Sequence, residues 1–243
     1  MKALIFAAGL GTRLKPLTDS IPKALLPIAG KPLLEHVILK LKAAGFNEII
    51  VNVHHFPEQI IDFLKSKNNF DIRIEVSDER DALLDTGGGI NHVRWFFDDG
   101  KPFLVHNVDI LSNIDLKLLY AAHLKSNPLA TLVVSERNTF RYLLFNNKNR
   151  LSGWINEKTG ETKPTGFKVH ADFKKLAFSG IQVLSPLVFN LMEGYEKKFP
   201  VMDFYLKNAK DQIINGFIPA DFQMMDVGKI EVLEEAEKFV KNP

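Results

Sequence analysis

The sequence contains no cysteine. That excludes disulfide bridges, a thiolate nucleophile and Cys-ligated zinc, and it fits a reducing compartment. Net charge is also scarce: 31 Lys and Arg against 29 Asp and Glu leave a formal balance of +2. A dedicated nucleic-acid binder usually shows a basic excess or a basic face, so nucleic acid is not an expected partner; a local basic pocket for phosphates is still compatible with the balance. Long apolar runs are missing, and none approaches the ~20 residues that cross a bilayer. The opening MKALIFAAGLGTR has one basic residue and an apolar run too short for a signal-peptide core, with no cleavage pattern behind it. A cytoplasmic protein without a membrane partner is expected. Repeats, low-complexity segments, long charge runs and linker-like composition are absent too. The 243 residues are expected to form one domain.

What is present is an ordinary globular composition, 46% hydrophobic and 25% charged, sufficient for a substantial core. Lys2–Ala8 is apolar without alternation, as expected of a strand covered on both faces. Pro32 opens a helical pattern that places Leu33, Leu34, Val37, Ile38, Leu41 and Ala44 on one face, with Gly45 where a left-handed cap belongs. Strands are then expected over 48–53 and 72–76, with a helix between them over 57–67. A glycine run precedes an expected helix over 90–97, followed by a strand at 103–110, a helix at 116–124 and a strand at 130–135. This alternation predicts an α/β fold with a three-layer, doubly wound, mostly parallel sheet, whose ligands gather at the C-terminal ends of the strands. After Arg137 the pattern changes. Segments 142–145, 151–155 and 176–184 read as strands joined by Asn, Gly and Lys turns, an antiparallel excursion beside the main sheet. Helices are expected at 186–193, 201–209 and 229–240, with extended segments at 213–218 and 222–227.

The strongest chemical signal is Ala7-Ala8-Gly9-Leu10-Gly11-Thr12-Arg13, directly after the first strand. Glycines there let backbone amides approach a phosphate or base without an intervening Cβ, and Arg13 adds a planar fork for phosphate oxygens. The dinucleotide pattern would need a third glycine where Leu14 stands, and a P-loop needs Gly-Lys-Ser/Thr where the chain has Gly11-Thr12-Arg13. Both readings fail. The loop continues through Thr18, Pro22-Lys23, Leu26-Pro27 and Gly30-Lys31-Pro32, an ordered series of prolines and cations. Further on stand Leu84-Asp85-Thr86-Gly87-Gly88-Gly89-Ile90, Asn107-Val108-Asp109, Phe178-Ser179-Gly180-Ile181 and Met225-Asp226-Val227-Gly228. Taken singly, the second glycine run reads as a helix entry, Asp109 as a turn or cap residue, and Asp226 as the N-cap of the last helix.

Taken in order, these segments resemble the sugar-phosphate nucleotidyltransferase family, with its Rossmann-like nucleotide-diphospho-sugar transferase fold. Its signature runs Gly-x-Gly-Thr-Arg, Pro-Leu-Thr, then Pro-Lys. The resemblance implies a nucleotide-binding half over about 1–137 and a sugar-phosphate half over about 138–243. It implies a nucleotide cradle of Ala8, Gly9, Gly11, Thr12, Thr86, Gly87 and Gly88, and catalytic roles for Arg13 and Lys23. Asn107, Ser179 and Gly180 would meet the sugar, and Asp109 and Asp226 would hold Mg²⁺. The family's usual glycine before the first of these carboxylates is Val108 here. The lysine expected on the acceptor phosphate is either Lys158 or Lys163.

Several tempting residues take plainer roles. His54-His55 lacks carboxylates at metal-ligand spacing and reads as a loop. Trp95, Phe96 and Phe97 read as core, His106 as a hydrogen-bonded core residue, and Ser179 lacks the Gly-x-Ser-x-Gly context of a hydrolase.

The resemblance implies that a nucleoside monophosphate passes from a nucleoside triphosphate to a sugar 1-phosphate with release of pyrophosphate. An anionic phosphate oxygen is the nucleophile, so no general base is needed; positioning and electrostatics carry the reaction. The segments look most like N-acetylmuramate 1-phosphate uridylyltransferases, with mannose 1-phosphate guanylyltransferases and phosphocholine cytidylyltransferases as alternatives. No hexapeptide repeats of a β-helical acetyltransferase domain precede the end at Pro243. A catalytically silent nucleotide-sugar sensor is the alternative of another class. A glycosyltransferase, whose metal site usually uses Asp-x-Asp, is only half matched by Asn107-Val108-Asp109.

Overall fold

The computed structural model describes residues 1–241. The apolar runs become strands β1 (Lys2–Phe6), the hairpin β2 (Pro27–Ile28) and β3 (Lys31–Pro32), β4 (Glu48–Val53), β5 (Arg73–Asp78), β6 (Phe103–Asn107) and β7 (Ile110–Ser112). The second half of the chain supplies β8 (Ala130–Ser135), β9 (Arg141–Phe145), β10 (Leu151–Asn156), β11 (Thr162–Lys163), β12 (Lys174–Leu184), β13 (Ile214–Phe217) and β14 (Met224–Asp226). The helices are α1 (Leu33–Ala43), α2 (Pro57–Ser66), α3 (Asp85–His92), α4 (Leu116–Ser126), α5 (Leu187–Leu191), α6 (Val201–Asn208) and α7 (Leu233–Lys241).

The main sheet runs β5-β4-β1-β6-β12-β8-β13. All neighbours are parallel except at β12, which runs against both β6 and β8. This is the mostly parallel sheet that the strand–helix alternation predicted. Two cores sandwich it. Ala3, Ile5, Val51 and Leu104 face α1, α2, α4 and α7 on one side. Leu4, Ile50, Val105 and Leu132 face α3, α5 and α6 on the other. Burial on both faces explains why these strands read as unbroken apolar runs.

The antiparallel excursion is not a separate sheet. β12 spans 11 residues and serves both parts. Its Ile181–Leu184 end pairs with β6, while Lys174–Leu176 pairs with β9 and carries β10 and β11 beyond it. Between those ends the register slips, at Gly180 with φ +74°, where a Cβ would stand 2.8 Å from Asn107 Nδ2. Only glycine fits that bulge, and the bulge lies against the end of β6.

Four expectations need correction. The helix predicted at 90–97 starts at Asp85 and runs through the glycines, with a short 3₁₀ turn at Arg94–Phe96 behind it. Gly costs about 1 kcal/mol against Ala in a helix, so packing must override propensity. Here the Gly87 and Gly88 amides both donate to the Phe199 carbonyl, at 2.8 and 3.2 Å. Trp95 is 52% exposed and does not join the core that Phe96 and Phe97 enter. The strand predicted to reach residue 110 ends at Asn107, and Val108–Asp109 turn out before β7 begins. Asp226 ends β14 and caps no helix; a 3₁₀ turn at Ile230–Val232 intervenes before α7. Among the described residues, no helix is long and apolar enough to cross a membrane.

His106 and His123 are fully buried. Burial pushes each imidazole down to about 4, against an ordinary 6.5. The folded value lies below the unfolded one, so between these limits the unfolded chain binds more protons. Stability is then full above about pH 6.5 and declines as the pH falls towards 4. The expected loss is on the order of 2–3 kcal/mol per ring across that window. Urea midpoints at pH 7.5 and 5 test this, and His123→Gln is expected to flatten the pH slope. An unchanged slope would exclude His123 as a source.

Candidate active site

A cavity of about 530 Å³ opens at the C-terminal ends of β1, β4 and β6, where an open α/β sheet is expected to bind its ligands. Its floor is the turn from Ala7 to Arg13. Gly11 has φ +64°, and a Cβ there would stand 2.8 Å from the Thr18 methyl, while the Thr18 hydroxyl donates to the Gly11 carbonyl at 2.9 Å. The glycine thus allows the turn to close on the following loop. Thr12–Leu14 forms a 3₁₀ turn anchored by buried Leu14, which leaves Arg13 exposed.

That loop delivers Lys23, which is only 8% exposed, and pairs its ammonium with the Asp109 carboxylate from the turn after β6. Asp226 approaches from the opposite direction. Its strand β14 pairs with β7, setting Asp226 opposite Ile110, and the Val227 amide donates to the Asp109 carbonyl at 2.9 Å. A Cβ on Gly228 would lie 2.9 Å from Asp226 Oδ1 and 3.1 Å from Arg13 Nη2, so both side chains close over that glycine. Arg13, Lys23, Asp109 and Gly228 line the cavity; Asp226 is exposed and does not line it, although it lies next to Gly228.

Of the predicted nucleotide cradle, Ala8, Gly9, Gly11, Thr12 and Thr86 line the cavity. Gly87 and Gly88 lie behind its wall, their amides committed to Phe199 as described above. The Ala8 amide is also occupied, donating to Asn52 Oδ1 at 3.2 Å. Thr86 Oγ1 accepts from the Val201 amide at 2.9 Å. Asn107 lines the cavity, and Gly180 packs against it from β12. Ser179 is buried, and among the described residues its hydroxyl has no partner. Neither Lys158 nor Lys163 lines the cavity. Lys163 is held by Asp203 on α6 at 2.7 Å, and Lys158 lies over the Phe140 ring. His106 turns Nδ1 to the Asn107 carbonyl at 2.7 Å, a core role. His54 bonds the Glu79 carbonyl at 2.7 Å, a loop role.

Sequence reading missed Asn52, Glu79, Asp85 and Lys198, which also line the cavity. Asn52 was findable, as the one polar side chain inside the apolar run 49–53. Lys198 was not, since nothing local marks it.

Among the described residues no cluster of three or more His, Asp or Glu could by itself hold a metal ion. Two carboxylates at neighbouring strand ends nevertheless suit a hard cation that takes its remaining oxygens from phosphates and water, and in this structure an ammonium already occupies the Asp109 carboxylate.

A glycine turn, two cations and a carboxylate thus gather at the strand ends of a doubly wound sheet. The chain belongs to the nucleotidyl transferase family, whose model matches residues 2–242. It is 45% identical over 115 residues to an N-acetylmuramate α-1-phosphate uridylyltransferase of Neisseria meningitidis, covering 47% of this chain and 49% of that enzyme. With the enzyme of the same name from Caulobacter vibrioides it shares 29% identity over 91% of this chain and 90% of the relative. With mannose-1-phosphate guanylyltransferase 1 of Arabidopsis thaliana it shares 38% identity over 56% of this chain and 38% of that enzyme. The fold matches HddC from Yersinia pseudotuberculosis complexed with GMP-PN, with a TM-score of 0.77 at 23% identity and 98% of each chain covered.

Proposed function

We propose that this protein transfers a nucleoside monophosphate from a nucleoside triphosphate to a sugar 1-phosphate and releases pyrophosphate. The observation that carries the reading is the convergence of Arg13, Lys23 and Asp109 on one cavity behind a glycine turn. UTP and N-acetylmuramate 1-phosphate are the proposed pair. Support comes from the relative matched nearly end to end, which bears that name, and from the Asp85-Thr86-Gly87-Gly88-Gly89-Ile90 segment. GTP with mannose 1-phosphate is the second reading, supported by the 38% identity of the Arabidopsis enzyme over 56% of this chain, below the 45% over 47% of the Neisseria uridylyltransferase.

In this reading the sugar phosphate attacks the α-phosphorus through an oxygen already anionic at neutral pH. The two polyanions must be brought into line and their charge offset. Lys23 sits nearest the carboxylate end and neutralises the α-phosphoryl group, while Arg13 grips the departing β- and γ-phosphates with its planar fork. Asp109 and Asp226 would hold Mg²⁺, which supplies charge stabilisation on the phosphoryl oxygens. Gly9–Thr12 offers the amides of the turn, and Asn107 with the Ser179-Gly180 backbone receives the sugar. The two halves, about 1–137 and 138–243, would act as the donor and acceptor sides of one domain.

Pyrophosphate release with Mg²⁺, crossing UTP, GTP, CTP and dTTP against N-acetylmuramate 1-phosphate, other sugar 1-phosphates and phosphocholine, tests the reading. Release dependent on one base and one acceptor is expected. Nucleotide binding without release from any pair would turn the assignment towards a nucleotide-sugar sensor.

A further inference from the structure

Asn52 at the end of β4 and Glu79 just past β5 do no work in the reaction as proposed, yet they are only 2% and 3% exposed. Buried polar groups cost free energy unless their hydrogen bonds are met, and an apolar pair could fill the same space without that cost. Their bonds run to two particular places. The Ala7 and Ala8 amides, immediately before Gly9, donate to Asn52 Oδ1 at 2.7 and 3.2 Å. Asn52 Nδ2 donates to Glu79 Oε1 at 2.9 Å, and the Leu84 amide, immediately before Asp85 and Thr86, donates to Glu79 Oε2 at 3.2 Å. The Glu79 backbone is fixed in turn, its amide on the Val53 carbonyl at 2.7 Å. α3 rests on the same carboxylate: a Cβ on Gly89 would stand 3.1 Å from Glu79 Oε1.

The chain of contacts therefore starts at the glycine turn on one side of the cavity and ends at the Leu83–Thr86 wall on the other. We propose that Asn52 and Glu79 form a brace that sets the spacing of these two walls, acting as positioning residues for the nucleoside triphosphate. The inference rests on the reading of the cavity as a nucleotide site. The brace does not touch the acceptor side, where Asn107, Ser179 and Gly180 lie, and it does not touch Lys23 or Asp109. Its loss weakens nucleotide binding and leaves transfer from bound nucleotide intact.

Isothermal titration of the 243-residue protein with UTP and GTP in Mg²⁺ reads this directly, beside steady-state kinetics. Asn52→Leu and Glu79→Gln are each expected to raise the nucleotide dissociation constant about tenfold, the worth of one or two buried hydrogen bonds. Acceptor KM and kcat at saturating nucleotide are expected to stay within about threefold of wild type, a split that a general loss of structure would not give. Because the two side chains act in series, the double variant is expected to bind no more weakly than the worse single one. If Asn52→Leu does not fold, Asn52→Ser replaces it, since its hydroxyl is too short to bridge the two walls. Unchanged nucleotide affinity, parallel losses in kcat and acceptor KM, or additive effects would each overturn the brace. Wild-type protein that binds no nucleotide would instead sink the reading of the cavity, and the brace with it.

Discussion

Asp109→Asn is expected to lower turnover by at least about a hundredfold, the scale of a lost charge stabilisation in a transition state. The substitution keeps the side chain's shape, and the strand pairing that positions it runs through the backbone: the Val227 amide donates to the Asp109 carbonyl, which the variant retains. What disappears is the anion that Lys23 faces. Lys23→Ala is expected to cost a similar factor from the other side, by removing a cation from the point where two polyanions would meet in the proposed reaction. Since the two groups face one another, the double variant should lose less than the product of the single losses. Initial rates of pyrophosphate release settle this, with melting temperatures as a check on folding. Near-normal turnover in either variant would remove that residue from the mechanism.

Gly88→Ala is expected to be the most damaging small substitution outside the chemistry. A Cβ there would stand 2.1 Å from the Lys197 carbonyl oxygen, a backbone atom that cannot swing aside. Either α3 or the 195–201 segment must move, and forced overpacking of this kind costs on the order of 3 kcal/mol. Movement of that segment also breaks the bond from the Val201 amide to Thr86 and withdraws Lys198 from the cavity. Activity should therefore fall with stability. Gly9→Ala is the control for stability, because a Cβ at Gly9 meets nothing within 4 Å. Urea denaturation of both variants is the measurement. A loss below about 1 kcal/mol for Gly88→Ala would show that the segment yields easily.

How much of this was legible depended on range. The parallel strands announced themselves because burial on both faces leaves no room for polar alternation, as in Ile49-Ile50-Val51. The glycine turn and Lys23 were legible as an ordered motif, and the structure sets them around one cavity. The glycine helix was misplaced because three glycines argue against a helix by propensity, and the partner that overrides it, Phe199, lies far along the chain. The same holds for Lys198, which the fold carries to the cavity on that clamped segment, and for the double duty of β12, which depends on two partners at once. Asp226 read as a helix cap because a carboxylate before an amphipathic helix usually is one; a short 3₁₀ turn moved the helix start and left it at a strand end.

The clamp between α3 and the 195–201 segment joins Thr86 to Val201 across 115 residues of sequence. A helix built on consecutive glycines has little tendency to form alone, so α3 waits for that distant segment before it can settle. During synthesis the glycine turn, Lys23 and Asp109 all emerge well ahead of residue 199. The early half of the chain can thus lay down its parallel strands, but its wall beside Thr86 stays unfinished until the later half arrives. In the proposed reading, the donor wall beside Thr86 would be completed only once the later half of the chain is in place.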